Sequence, residues 1–104
     1  MDRASTAVSV DPNAPAIVAK DITFVTTEVK VPAGKAFQLS FHNQDGAPHN
    51  VAIYTDSSAS QAKFQGDIFS GGTRVYEVPA LAAGTYFFRC DVHPTTMTGT
   101  FVVK

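Results

Sequence analysis

Apolar and polar side chains alternate between residues 37 and 41. Phe37, Leu39 and Phe41 fall on one side and Gln38 and Ser40 on the other, the period-two signature of a strand with one buried face. Runs rich in β-branched and aromatic residues recur at 16–24, 51–55, 73–78, 85–90 and 98–103, separated by Gly, Pro, Asp and Asn. Short strands at this spacing predict an all-β domain, a Greek-key antiparallel β-sandwich of about seven to eight strands. The Ser/Ala-rich stretch 56–65 is expected to be a loop or a single helical turn. The first 15 residues, rich in Asp, Ser, Ala and Pro, read as a flexible tail or linker stub, which leaves 16–104 as one domain.

Leu81-Ala82-Ala83-Gly84-Thr85-Tyr86 has the form of a tyrosine corner, in which a Tyr hydroxyl ties an inter-sheet connection to nearby backbone. Tyr86 is therefore expected to be structural. No internal repeat is present, which removes solenoids and propellers.

Composition narrows the class. A hydrophobic fraction of 44% with only 16% charged residues fits a packed core and not a disordered chain. The net charge of −1 is dispersed, so neither nucleic acid nor a membrane surface is an expected partner. No apolar run approaches the roughly 20 residues of a membrane span. The first ten residues lack the basic start and apolar middle of a signal peptide, so an export signal or anchor is expected to be absent from this chain.

The single cysteine, Cys90, excludes an internal disulfide and leaves a thiol that is inert, cross-linked to another chain or used chemically. It opens the segment Cys90-Asp91-Val92-His93-Pro94-Thr95-Thr96-Met97, which places a thiolate, an imidazole and a thioether between two predicted strands. Upstream, Asn43-Gln44-Asp45-Gly46-Ala47-Pro48-His49-Asn50 supplies a second imidazole on what reads as a constrained turn. One thiolate and two imidazoles with a weak thioether suit copper in both oxidation states, since sulfur favours Cu(I) and imidazole also accepts Cu(II). Zinc is the poorer fit, because structural zinc recruits four strong ligands and methionine is not one. His42 should project away from the core face as a surface residue, while Asn43 sets the loop.

Pro48-His49-Asn50 followed by Cys-x-x-His-Pro-x-x-Met resembles the cupredoxins, the type 1 blue copper proteins, in their plastocyanin-like and amicyanin-like forms. The resemblance spans roughly 16–104 and includes the Gly-x-Tyr-x-Phe-x-Cys strand. It implies one copper ion, Cu(I)/Cu(II), held by His49, Cys90 and His93 in a plane with Met97 as axial ligand. It also implies Asn50, with Pro48 beside it, as support near the Cys90 sulfur. The loop from His93 to Met97 is intermediate in length between plastocyanin and amicyanin loops. A two-copper centre would need a second cysteine in this loop.

The implied function is one-electron transport between transient redox donor and acceptor proteins, by a monomer located in a periplasm or at a cell surface. The alternative is a periplasmic copper delivery or storage protein. No enzyme activity is expected, because multicopper catalysis needs further His-x-His pairs. If the strand ending at Cys90 runs toward the metal, residues 66–72 lie near the site. Ala47, Pro48, Phe69 and Pro94, with Ile68, then form an apolar docking patch around the His93 edge.

Overall fold

The computed structural model describes residues 14–104; the expected tail falls almost wholly outside them. Nine strands follow in order: β1 (Ala16–Lys20), β2 (Thr23–Phe24), β3 (Glu28–Val31), β4 (Phe37–His49), β5 (Ala52–Tyr54), β6 (Ala62–Gln65), β7 (Phe69–Val78), β8 (Gly84–Arg89) and β9 (Thr98–Val103). They form a four-stranded sheet, β2-β1-β4-β7, and a five-stranded sheet, β3-β9-β8-β5-β6.

Alternation places the apolar members of both sheets inward. Ile17, Leu39 and Phe41 from one sheet and Phe88, Phe101 and Val103 from the other are buried. Phe24 bridges the layers, its ring 6.0 Å from Phe41 and 5.0 Å from Phe88, and Phe88 stands edge-on to Phe101 at 5.3 Å. Such tilted and edge-to-face contacts suit the aromatic quadrupole and fill the interior without polar atoms. The tyrosine corner is present: the Tyr86 hydroxyl donates to the Ala82 carbonyl at 2.8 Å.

The sandwich is all-β, as its pattern predicts, but its pairing is mixed. β1 lies parallel to β4 and β3 parallel to β9, while the remaining pairs are antiparallel. Periodicity reports which face a residue occupies, not the direction of its neighbour. Three boundaries also differ. The stretch 16–24 is split by a turn at Asp21 and Ile22, the edge strand β3 falls outside the expected runs although its residues alternate exposed and buried, and β6 occupies the end of the expected loop 56–65.

The largest difference positions the site. β4 does not end at Phe41 but runs on to His49, paired with β7 from Phe37↔Val78 to Asn43↔Gly72 and again at Pro48↔Ser70 and His49↔Phe69. Between the two paired stretches β4 carries extra residues, and an excess on one strand makes it bulge and re-aim the side chains beyond. Gly71 and Gly72 take φ of 59° and 109° opposite the bulge, a region that glycine enters without steric cost.

Candidate metal centre

Two segments converge at one pole of the sandwich. The first is the bulged end of β4. Asn43 organises it from within: its side-chain amide donates to the carbonyls of Ala47 (3.1 Å) and Phe69 (2.9 Å), and its Oδ1 accepts the Asp45 N–H at 2.9 Å. Asn43 is 2% exposed, so these bonds satisfy a polar group that burial would otherwise penalise. The bulge thereby delivers His49 to the interior, fully buried.

The second segment begins where β8 stops at Arg89. Residues 90–97 close on themselves through backbone bonds: His93 N–H to Cys90 O at 3.2 Å, Met97 N–H to His93 O at 3.1 Å, and Cys90 N–H to Met97 O at 3.0 Å. This tight connection turns Cys90 and Met97 inward, both fully buried, and leaves His93 half-buried between the exposed Val92 and Pro94.

The three strong donors meet there. His49 Nδ1 lies 3.9 Å from Cys90 Sγ and His93 Nδ1 lies 3.8 Å from it, and all three donor atoms fall within 4.8 Å of one another. The imidazole rings stand edge-to-face with centroids 4.9 Å apart. Metal bonds of about 2.3 Å to sulfur and about 2.0 Å to nitrogen, opened to a trigonal angle, separate sulfur from nitrogen by about 3.7 Å. The spacing therefore accepts one ion among the three atoms, and the donor chemistry is that of copper. His42 lies outside the group: its nitrogens face Ser40 Oγ (3.2 Å) and Thr73 Oγ1 (2.9 Å) across β4 and β7.

Around the donors lies a polar frame that sequence reading reached only in part. Asn50 links the two segments: its amide donates to Gly66 O (3.0 Å) and Asp91 Oδ2 (3.1 Å), and its Oδ1 accepts the Asp91 N–H at 2.8 Å. Two of these three bonds are thus to the residue following Cys90. Asp91 also accepts from the Tyr54 hydroxyl (2.5 Å) and Arg89 Nε (3.1 Å). Burial alone would raise the Asp91 carboxyl; hydrogen bonds from Tyr54, Asn50 and Arg89 outweigh it and hold it below its usual range.

Asp45 was missed altogether. Its Oδ2 lies 2.7 Å from His49 Nε2, and that bond, with the N–H groups of Ile22 and Asp21, holds its carboxyl below the usual carboxylate range. Spacing gave no signal, since residues four apart meet on a helix and not along a regular strand.

One member of the expected docking patch is corrected. Phe69 is only 8% exposed and belongs to the core, edge-on to Phe41 at 5.5 Å with the Arg74 guanidinium over its ring. Because β7 starts at Phe69, successive side chains alternate faces there, and Ile68 is the exposed neighbour at 53%. Ala47 is half-buried, and Pro48 and Pro94 are exposed.

A two-sheet sandwich with one buried cysteine sulfur and two imidazoles converging at its pole defines a small single-metal β-domain of the blue copper type. The chain belongs to the cupredoxin-like domain family, whose family model matches residues 4–103. It is 30% identical to plastocyanin of Sambucus nigra over 78 residues, 69% of this chain and 77% of that protein. Amicyanin from Paracoccus versutus superposes with a TM-score of 0.68 at 25% identity, covering 91% of this chain and 85% of that one. Auracyanin from Roseiflexus castenholzii, at 19% identity, shares the fold with a TM-score of 0.77 over 92% and 99% of the two chains.

Proposed function

We propose that this chain is a type 1 copper protein that carries single electrons between redox partners, and that His49, Cys90, His93 and Met97 are the residues that would hold the ion. The observation that carries this reading is the convergence of two Nδ1 atoms on the buried Cys90 Sγ at 3.9 and 3.8 Å. Bound copper would supply the Cu(I)/Cu(II) couple, which a mixed sulfur and imidazole set tolerates in both states.

The protein's part is to hold the ligands still and dry. His49 and Cys90 are anchored in or directly after strands, and Asn50 and Asp91 brace the two ligand segments against each other. Such partners orient ligands and tune their basicity. His93 forms the outward edge of the site, so electrons would pass through its imidazole to partners seated on Ala47, Pro48, Ile68 and Pro94. Small, weakly charged faces of this kind suit brief redox encounters. The same reading makes the protein a carrier rather than an enzyme, working outside the cytoplasm as a monomer.

Copper delivery or storage shares the ligand set but requires the ion to leave. Voltammetry of the copper-loaded protein with a Cu(I) chelator in solution separates the two. A carrier gives a reversible one-electron wave that survives repeated cycling; loss of the wave as the chelator takes copper on reduction would establish delivery instead.

A further inference from the structure

The carboxylate of Asp45 sits where three hydrogen-bond donors meet. His49 Nε2 lies 2.7 Å from Oδ2, Ile22 N–H donates to Oδ2 at 3.0 Å, and Asp21 N–H donates to Oδ1 at 2.9 Å. Asp21 and Ile22 are the two central residues of the turn between β1 and β2, and both take φ of 57°. Paired left-handed residues form the tight hairpin turn usually written Asn-Gly. A β-branched residue there is a steric outlier, and such strain persists only where its surroundings over-determine it. Here the carboxylate supplies that constraint by binding both turn amides. Its own position is set by Asn43, whose Oδ1 accepts the Asp45 N–H at 2.9 Å.

The consequence for His49 follows from its two nitrogens. A carboxylate is an acceptor, so the nitrogen facing it carries the proton. Nε2 is therefore the N–H, and the lone pair is on Nδ1, which faces Cys90 Sγ. We propose that Asp45 is the positioning residue for His49: it fixes the ring's tautomer and orientation before any metal arrives, and its negative charge biases the loaded site toward Cu(II). The bias rests on the copper reading above; the tautomer rests on geometry alone.

The test uses the whole chain, copper-free and copper-loaded, as wild type, Asp45→Asn, Asp45→Ala and Asp45→Glu. Glu28→Gln serves as a control that removes a negative charge on β3, where Glu28 pairs with Lys30. In the copper-free wild type, side-chain ¹⁵N NMR should show His49 as a single Nε2–H tautomer, and Asp45→Ala should show a mixture. After loading, Asp45→Asn and Asp45→Ala should bind Cu(II) about tenfold more weakly, the usual order for loss of a partner behind a metal-binding histidine. At the wild-type midpoint their Cu(II)/Cu(I) ratio should shift about tenfold toward Cu(I), a rise of about 59 mV. Asp45→Glu should recover most of that shift, and Glu28→Gln should leave the ratio within about twofold of wild type.

An unchanged tautomer in Asp45→Ala, or a loaded ratio no different from Glu28→Gln, would overturn the proposal and reduce Asp45 to a clamp on the β1–β2 turn. A mixed tautomer in a variant of a chain that takes up no copper would support the positioning of His49 while removing the copper reading.

Discussion

Tyr76 shows how a single side chain couples burial to pH. Its ring is buried against Phe41 and Phe64, and its hydroxyl donates to Asp67 O at 2.7 Å. Burial, reinforced by the nearby Asp67 charge, pushes the hydroxyl above its ordinary value. The unfolded chain therefore loses this proton first as pH rises past about 10. The stabilisation is complete below that pH and is lost progressively above it. Urea midpoints at pH 8 and pH 11 should fall less in Tyr76→Phe than in wild type; equal falls would show that Tyr76 does not contribute. At this scale the three donors that converge, His49, Cys90 and His93, were the most legible part of the chain. Cys90, His93 and Met97 are local in sequence, and His49 follows a proline in a polar segment. Asp45 and Asp91 were not legible, because their roles depend on where a bulge and a strand end put them.

At the scale of elements, the bulge in β4 and the pairing of β8 with β9 carry the site. Gly99 lies opposite Phe88 in that pairing, and the Phe88 ring packs directly over it. A methyl group there would overlap the ring and approach Thr27 O at 2.9 Å. Phe88 is fully buried and has little room to yield. Gly99→Ala is expected to destabilise the fold by about 1–3 kcal/mol, the usual cost of overpacking a core, as read by chemical denaturation. No loss would mean that the sheets separate more easily than their packing indicates. The period-two pattern identified most strands and the faces they bury. It missed the continuation of β4 through 43–49, where Asp, Gly and Pro read as a turn. It also put Phe69 on the surface, since its predicted strand began at residue 73. The parallel pairs stayed hidden because strand direction depends on connections made across the whole sandwich.

For the whole molecule, the metal pole is the functional end. Its rim is apolar and exposed, with Ile68 at 53% and Val92 at 41% beside Pro48 and Pro94. Among the described residues no helix is long and apolar enough to cross a membrane. Pro94→Lys places a hydrated charge on the rim without touching a donor atom. Electron exchange with a redox partner should slow while the visible spectrum of the loaded protein stays the same; unchanged exchange would move the docking face elsewhere. The central claim is the copper site itself, and titration of the copper-free protein with Cu(II), followed by visible absorption and electron paramagnetic resonance, tests it most directly. One equivalent should produce an intense thiolate-to-copper absorption band that Cys90→Ser abolishes. A wild-type protein that develops no such band would contradict the assignment.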